Sequence, residues 1–377
     1  MVASTTSQNI ILRLSSSTFY FFRRLHFCLT QFFEFPARSE LPTDLLSWSF
    51  LGEDQDTPTY VKCWSKLGAV FEQHGFTLWN CSDEHNQYVS DLPAPNNYVF
   101  IPFNHPNIAR NLSRFAVYSG LQHAARKDKH HYVIRVMSVG ADGLDELNIL
   151  RFLSQPPDNL LSNNHILPMI SEIVYHDIVF GVFPLLGERV QNAMLPMIHK
   201  STIEDVVYMI MQALEAVIYI HSKNVAHRDL FMDNFMLAWS PQSMLGQNWT
   251  RPRVYLIDFE TAIHFSDEVD PSKRLVSGLP MPEHVYRRQR APELLFESSM
   301  YCPFRLDMWQ FGFQIMEMFS KTGIQEIDSL WPPLMAENPV ERPTASEIFQ
   351  QLGDFVSTVP PKLLRRAYTC DPVIRWM

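Results

Sequence analysis

Glycine is scarce in this chain, with 13 residues among 377, whereas proline is common, with 26. Because glycine has no Cβ atom, its backbone can approach a bound phosphate closely. The low glycine content therefore disfavours a nucleotide-binding fold that is rich in glycine loops. The chain is still long enough to bury a substantial core, and a typical size of roughly 150 residues per domain predicts two or three compact units.

Cysteine is also rare. The five cysteines are Cys28, Cys63, Cys81, Cys302 and Cys370, and no two of them form a C-x-x-C pair. An odd number of widely spaced cysteines argues against a disulfide scaffold and a structural zinc site, and it is typical of proteins in a reducing compartment. We therefore predict a cytoplasmic or nuclear location.

Basic residues are outnumbered by acidic ones, 31 against 40, and the net charge is −9. Such a charge disfavours a general nucleic-acid-coating function, so no nucleic-acid partner is predicted. Hydrophobic residues make up 46% of the chain and charged residues only 19%. This composition excludes a disordered or low-complexity chain.

No acidic residue occurs before Glu34, and residues 10–33 are largely apolar and aromatic. Arg13, Arg23, Arg24 and His26 interrupt this stretch. A membrane-spanning helix needs about 20 apolar residues without such breaks, so no membrane span is predicted. Mitochondrial targeting by residues 1–35 is a minor alternative. The favoured interpretations are a flexible lead-in that packs on the domain and a mis-assigned start of the coding sequence.

The remaining sequence has a β-rich half followed by a helical half. The β-like runs are Tyr98–Phe103, Arg114–Tyr118, His131–Val136, Ile166–Ile173 and Ile178–Pro184, with one helical pattern among them at Gly143–Leu153. Later helical patterns are Ile203–His221, with Ser201 or Thr202 as its cap, Leu306–Phe319 and Thr344–Phe355. This order predicts an α+β fold of two lobes with a cleft between them.

We divide the chain accordingly. Residues 1–40 form an N-terminal extension, and residues 41–97 form a lead-in region that packs on the N-lobe. The N-lobe comprises residues 98–187, the C-lobe residues 188–355, and the C-terminal tail residues 356–377.

The residues with chemical potential lie in the second half. Asp229 stands five residues before Asn234, just after the long helical pattern, and Asp258 lies near the end of an apolar run at 254–259. A carboxylate at a strand end beside such a loop is a plausible Mg²⁺ ligand. Each feature alone is weak, because an isolated Asp and Asn usually form a turn or a helix cap.

Their order in the sequence is more specific, and it resembles that of eukaryotic protein kinases, including a divergent branch found in fungi. The resemblance covers roughly residues 98–355. The seven matches, in order, are Tyr132-Val133-Ile134-Arg135, Glu146, His227-Arg228-Asp229 with Asn234, Asp258-Phe259-Glu260, Ala291-Pro292-Glu293, Asp307-Met-Trp309-Gln-Phe-Gly312, and Arg342-Pro343.

The resemblance implies a role for each matched residue, with ATP and Mg²⁺ or Mn²⁺ as cofactors. Asp229 would accept the proton of a substrate hydroxyl group, with Arg228 and Asn234 beside it, and Asn234 and Asp258 would hold the metal. The predicted nucleotide-binding residues are Arg135, Glu146, Val133, Phe183 and Leu186. The predicted structural residues are His227, Phe259, Glu293, Asp307 and Arg342.

Several departures from the family pattern weaken the predicted ATP site. Arg135 replaces the lysine that reaches the α- and β-phosphates, and arginine is not equivalent to lysine there. No G-x-G-x-x-G precedes it, since residues 100–118 contain no glycine, and the candidate loop is Phe103–Asn111. Phe231 replaces a lysine that contacts the transferred phosphate. Glu260 replaces the D-F-G glycine, and it is either an additional metal ligand or a solvated side chain.

Two further regions bear on substrate recognition. The segment between Gly312 and Arg342 is short, so a substrate-docking helix is expected to be missing, and residues 238–252 are an expected insertion. Arg287, Arg288 and Arg290 form a basic run that could bind an acidic substrate or a phosphate, or could simply face solvent. Arg228 could hold a phosphorylated activation segment.

The sequence therefore predicts a kinase-like protein in phospho-signalling that is a weakly active or inactive pseudokinase. The alternative is an active Ser/Thr kinase that transfers the ATP γ-phosphate to a protein hydroxyl group. Its partner would be a protein substrate or a signalling protein. A small-molecule kinase of the aminoglycoside phosphotransferase type is a distant third, because the A-P-E, D-x-W-x-x-G and Arg-Pro matches are typical of protein kinases.

Overall fold

The structure is a computed structural model of the chain. It describes residues 35–49, 59–82, 87–89, 114–116, 119–128, 130–193, 202–238, 243–244, 247–248, 252–296, 299–318 and 322–368. These residues form a β-rich lobe followed by a helical lobe, as the sequence predicts. None of the described helices is both long and apolar enough to cross a membrane.

The N-lobe is built on a five-stranded antiparallel sheet with strand order β1-β5-β6-β8-β7. The elements of this lobe are α1 (Leu45–Ser49), α2 (Thr59–Gln73), β1 (Thr77–Leu78), β2 (Asn80–Ser82), β3 (Gln87–Val89), β4 (Arg114–Ala116), β5 (Gln122–Lys127), β6 (His130–Val139), α3 (Leu144–Leu153), β7 (Ser171–Tyr175) and β8 (Ile178–Pro184). The bounds of β8 are those predicted, whereas the predicted strand at 166–173 is shifted to β7. The sheet begins at Thr77, before residue 98, although the division into domains stays a prediction.

Helix α2 packs against one face of this sheet through aromatic side chains. Trp64 is fully buried, stacks on Phe71 with ring centroids 5.8 Å apart, and donates a hydrogen bond from Nε1 to the Gly120 carbonyl at 2.7 Å. Phe71 meets Phe180 of β8 edge-on at 5.1 Å. Large aromatic groups contribute most of the apolar burial in such a core, so α2 is an integral part of the N-lobe.

A second sheet of three short strands, β2-β3-β4, lies between β1 and β5 in the chain. The predicted strand at 114–118 is found here as β4, not in the main sheet. The predicted strand Tyr98–Phe103 and the candidate phosphate loop Phe103–Asn111 lie outside the described residues. In the main sheet, the strand that carries Arg135, β6, lies between β8 and β5. Strand β5 was not predicted from the sequence; its Gln122 pairs with Arg135 and its Ala124 with Val133.

Helix α3 begins directly after Gly143, whose φ of 83° lies in the left-handed region. A Cβ atom at this position would lie 2.2 Å from the Met137 carbonyl oxygen, so only glycine fits. This tight turn brings the helix back against β6. Glu146, in the first turn of α3, thereby lies close to Arg135 on β6.

The C-lobe is mainly helical. Its elements are β9 (Glu188–Arg189), α4 (Val190–Ala193), α5 (Ile203–Ser222), β10 (Val225–Ala226), β11 (Phe235–Ala238), β12 (Ser243–Met244), β13 (Gln247–Asn248), β14 (Arg253–Leu256), β15 (Ile263–His264), α6 (Pro303–Met318), α7 (Gln325–Asp328), α8 (Ala345–Thr358) and α9 (Pro361–Leu364). Reciprocal capping boxes start two of the helices, Thr202 with Asp205 at α5 and Thr344 with Glu347 at α8.

Two predictions from the sequence concern the segments that connect the elements of this lobe. The β12–β13 hairpin falls within residues 238–252, the expected insertion. Among the described residues between α6 and Arg342, no helical piece is longer than four residues, as in α7 and the 3-10 turn Pro332–Met335. A docking helix of ordinary length is therefore not seen in the described part of this segment.

Candidate active site

One buried carboxylate, that of Asp307, holds the loop around Asp229 in place by hydrogen bonds. Asp307 on α6 is fully buried, and its two oxygens accept hydrogen bonds from the backbone N–H groups of His227 at 2.8 Å and Arg228 at 2.6 Å. Arg228 has a φ of 65°, which is unfavourable for a residue with a side chain. The two hydrogen bonds to Asp307 stabilise this conformation and thereby orient the next residue, Asp229.

Asp229 and Asn234 are in direct contact. The Asn234 amide nitrogen donates hydrogen bonds to the backbone oxygen and to Oδ2 of Asp229, both at 2.8 Å. The backbone oxygen of Asn234 accepts a hydrogen bond from Ile257 N at 3.0 Å, which places Asp258 next to this loop. The structure thus brings together the three residues predicted to serve as base and metal ligands.

The donor set of this site fits a hard divalent cation. The Asn234 amide oxygen accepts no hydrogen bond from the described residues, so it is available as a ligand. Asp258 supplies a carboxylate that is about one-third exposed, and its φ of 67° turns the chain sharply after β14. Mg²⁺ is usually held by one or two carboxylates together with phosphate oxygens. The described residues contain no cluster of three or more His, Cys, Asp or Glu side chains that could hold a metal ion.

Arg135 is surrounded by acidic groups. Its guanidinium lies 3.1 Å from Glu146, 3.0 Å from Asp258 and 3.5 Å from Glu260, and its side chain is 12% exposed. A single cation is therefore shared by three carboxylates. The Glu260 side chain is 44% exposed and also lies within ion-pair distance of Arg135, so it is partly solvated and part of this network.

This excess of negative charge changes proton affinities. Burial, together with the charges of Asp258 and Glu260, raises the pKa of Glu146 from 4.5 to about 7, although attraction to Arg135 opposes the shift. Burial and the charge of Asp258 also raise the pKa of Glu260. Because Glu146 and Glu260 repel each other when both are charged, the proton affinity of Glu146 also depends on Glu260.

Stability should consequently depend on pH at this cluster. Between about pH 4.5 and pH 7, folded Glu146 retains a proton that the unfolded chain releases. The stabilisation from this protonated Glu146 is therefore fully present below the pKa of Glu146 in the unfolded chain. It is lost as the pH rises through the pKa of Glu146 in the folded protein. The free energy of unfolding of the wild type should fall between pH 5 and pH 7. In Glu146→Gln this fall should be smaller by on the order of 2 kcal/mol. Urea unfolding at both pH values measures this change.

The exposed Glu326→Gln variant is the matched control, since it removes the same charge from the surface. Its unfolding free energy should follow the wild-type pH dependence. Identical pH dependence in Glu146→Gln and wild type would show that Glu146 titrates normally.

A cavity of about 120 Å³ opens between the lobes above this cluster. All five predicted nucleotide-binding residues line it, together with Asp258: Val133, Arg135, Glu146, Phe183 and Leu186. The lining is mostly apolar apart from the charged end, an arrangement that suits a flat aromatic group joined to an anionic one.

Two other lining residues, Phe115 and Gln122, were missed by the sequence analysis. Gln122 could have been found only by recognising β5, and Phe115 only by knowing that the second sheet reaches the cleft. Phe115 of β4 packs against buried Trp79 and also lines the cavity. The second sheet thus contributes an apolar side chain to the cleft.

The Arg228 guanidinium is engaged by neutral groups. It donates hydrogen bonds to the Thr261 and Leu279 carbonyl oxygens and, at 3.1 Å, to the Tyr301 hydroxyl oxygen. Tyr301 in turn donates to the Gly278 carbonyl at 2.9 Å. These bonds tie the Arg228 loop to residues 260–291, the predicted activation segment, and to Tyr301, whereas binding of a phosphate by Arg228 stays a prediction.

Arg288 is the largest departure from the prediction for the basic run. Its guanidinium forms two hydrogen bonds with Asp229, Nε to Oδ1 at 3.0 Å and Nη2 to Oδ2 at 2.8 Å, and its Nη1 binds Asp233 at 2.8 Å. Arg290 instead pairs with Glu283 near the surface. Arg288 lies 59 residues after Asp229, so no local sequence pattern indicates the contact.

The predicted structural residues surround the site. His227 meets buried Phe259 edge-on at 4.9 Å, and the Glu293 carboxylate binds Arg342 through two hydrogen bonds at 2.5 and 2.7 Å. Gln310 was not predicted, but it accepts a hydrogen bond from Leu230 N at 2.9 Å and donates one to the Arg228 carbonyl at 2.7 Å. Only its position on α6, one turn after Asp307, could have indicated this function.

Comparisons with known proteins agree with this geometry. The protein kinase domain family matches residues 127–329, more than half of the chain. An Acanthamoeba polyphaga mimivirus protein named as a serine/threonine-protein kinase is 21% identical over 217 residues, or 49% of this chain and 71% of that protein. An Encephalitozoon cuniculi protein named as a CTD kinase subunit alpha homolog is 26% identical over 204 residues, or 52% of each chain.

A Dictyostelium discoideum protein named as a serine/threonine-protein kinase is 26% identical over 197 residues, or 50% of this chain and 32% of that protein. The alignments thus span from about a third to about seven-tenths of these relatives. Together with the two-lobed fold and the Asp229, Asn234 and Asp258 arrangement, the family match shows that this chain belongs to the protein kinase family.

Proposed function

We propose that the chain is a weakly active protein kinase, which transfers the γ-phosphate of ATP slowly to a hydroxyl group of a protein substrate. The observation that carries this proposal is the contact of Asp229 with Asn234, next to Asp258. In phosphoryl transfer, a carboxylate accepts the hydroxyl proton while an amide and a second carboxylate hold the metal. Asn234 and Asp258 would hold Mg²⁺ or Mn²⁺, which neutralises charge on the ATP phosphates when bound.

The same site explains why transfer should be slow. Phosphoryl transfer depends on cations and N–H groups aimed at the phosphates, and loss of one such donor typically costs about 3 kcal/mol in the transition state. Arg135 is already paired with Glu146, Asp258 and Glu260. Phe231 offers no charge, and the sequence contains no glycine-rich motif upstream of Arg135.

The second candidate is an inactive pseudokinase that acts by binding a signalling partner. Its specific support is the charge around Arg135. In the described lining of the cavity Arg135 is the sole cationic side chain, and three carboxylates share it. A guanidinium in that position could stabilise the active-site cleft without ever contacting a nucleotide. Under either candidate, the location in the cytoplasm or nucleus stays a proposal.

A transfer assay separates the two candidates. The full chain is incubated with γ-labelled ATP, Mg²⁺ or Mn²⁺ and generic Ser/Thr peptides, alongside Asp229→Asn. We expect slow transfer by the wild type and only background in Asp229→Asn, because the amide cannot accept the proton. The exposed Asp354→Asn variant, which removes the same charge, should match the wild type.

If the wild type gives no transfer, the thermal stability of the protein with and without Mg²⁺ and ATP decides the remaining question. A rise in melting temperature would support a nucleotide-binding pseudokinase. No rise and no transfer would support a binding module that does not use nucleotide.

A further inference from the structure

Arg288 is distinct from its neighbours in the basic run. Arg287 is exposed, whereas the Arg288 side chain is only 30% exposed and reaches into the site. Its guanidinium carbon lies 4.7 Å from the centre of the Phe231 ring, so the cation packs on an aromatic face. The activation segment therefore places a fixed positive charge directly beside Asp229.

Two N–H groups of the Arg288 guanidinium are not used in its hydrogen bonds to the described residues. A guanidinium has five N–H groups, and three of them bind Asp229 and Asp233. One N–H remains on each terminal nitrogen. Two N–H groups on one planar cation match the geometry of phosphate oxygens.

Asp229 also retains room for a substrate. Its Oδ1 accepts one hydrogen bond among the described residues, from Arg288, and a carboxylate oxygen can accept two. A hydroxyl group could therefore donate to Oδ1 while Arg288 stays in place. Arg288 can therefore stay in place during the reaction. A residue that only blocked access to Asp229 would have to move away first.

Transfer requires a cation at this position. As the substrate oxygen bonds to the γ-phosphorus of metal-bound ATP, its proton passes to Asp229. The bond from that phosphorus to the bridging oxygen breaks, and the electron pair leaves with ADP. Negative charge is spread over the transferred group during this step. Arg135 is committed to three carboxylates, which leaves Arg288 as the described cation next to the base.

We propose that Arg288 is a catalytic residue, which binds the transferred phosphate with its two remaining N–H groups while it orients Asp229. This inference rests on the proposed function, since it assigns a group to the same reaction. It predicts that the rate of transfer depends on a positive charge at this place and not on arginine in particular. A lysine at position 231, directly under the guanidinium, should be able to supply it.

The test uses the full chain in five forms: wild type, Arg288→Ala, Arg288→Gln, Arg287→Ala and the double variant Arg288→Ala with Phe231→Lys. We expect Arg288→Ala and Arg288→Gln to lower kcat about 100-fold with little change in KM. Arg287→Ala should stay within about twofold of wild type, because its side chain is exposed. The double variant should recover about tenfold or more of the loss. Melting temperatures verify that each variant is folded.

Faster transfer by Arg288→Ala would overturn the proposal, because it would make Arg288 an inhibitory cover on Asp229. Loss without recovery in the double variant would reduce Arg288 to a structural role. If the wild type gives no transfer, the proposed function fails, and binding of Mg²⁺ with the non-hydrolysable analogue AMP-PNP is measured instead. Severalfold weaker binding in Arg288→Ala, recovered in the double variant, would then support the phosphate contact, and unchanged binding would overturn it.

Discussion

Replacing Arg342 with methionine is expected to lower the free energy of unfolding by about 3–5 kcal/mol. The Arg342 side chain is fully buried, binds both oxygens of Glu293, and donates to the carbonyl oxygens of Ala336 at 2.9 Å and Arg305 at 3.0 Å. Methionine fills a similar volume but leaves the Glu293 carboxylate, only 7% exposed, without its counter-ion. Urea unfolding followed by tryptophan fluorescence measures the loss.

A double variant identifies the cause. Arg342→Met combined with Glu293→Gln should be less destabilised than Arg342→Met alone, because the uncompensated charge is gone. Arg365→Met is the matched surface control, since Arg365 is 73% exposed and lies 3.9 Å from Glu204, and it should change stability by less than about 0.5 kcal/mol. A loss in Arg342→Met as small as in this control would refute the importance of the buried pair.

The helices of the C-lobe could be predicted because local sequence determines them. Apolar spacing of 3.6 residues predicts α5 and α8. The structure starts α5 after Thr202, one of its two predicted caps, and α8 after Thr344, which the prediction had placed inside the helix. The strand β8 was predicted with its observed bounds because its run of apolar residues is buried in the centre of a sheet. Where one segment carries its own signal, the sequence is sufficient.

The N-lobe was harder to predict for two different reasons. Helix α2 does carry a signal, since Cys63, Trp64, Leu67, Val70 and Phe71 follow helical spacing and all are buried. The surrounding turn-rich residues concealed it. The pairing of β1 with β5, in contrast, joins segments more than 40 residues apart, and a two-residue strand has no periodicity to detect.

The site also contains residues that the sequence indicates and residues that it does not. Asp229, Asn234 and Asp258 could be identified from their order and spacing, and the structure brings them together. Arg288, which binds Asp229, and Tyr301, which binds Arg228, come from other segments, and their contacts depend on how those segments fold back. The sequence thus indicated the type of chemistry at the site but not its electrostatic surroundings.

Replacing Asp307 with asparagine should have an effect of similar size to the Arg342 variant, and it should also impair transfer. Asp307 accepts hydrogen bonds from the backbone of His227 and Arg228 with separate oxygens and is fully buried. Asparagine has one acceptor oxygen, so one backbone N–H would face an NH₂ group. A buried N–H without an acceptor, together with the loss of a charged hydrogen bond, costs about 3–5 kcal/mol. Urea unfolding measures this cost.

Transfer provides the second measurement, because Asp307 holds Arg228 in its left-handed conformation and thereby orients Asp229. A displacement of about 1 Å at a catalytic group can reduce the rate about 100-fold. We expect kcat to fall by about that factor in Asp307→Asn at a temperature where the variant is still folded, whereas the exposed Asp354→Asn variant should leave both stability and kcat unchanged. Normal stability in Asp307→Asn would mean that the amide satisfies both N–H groups, and the loop would not depend on this carboxylate.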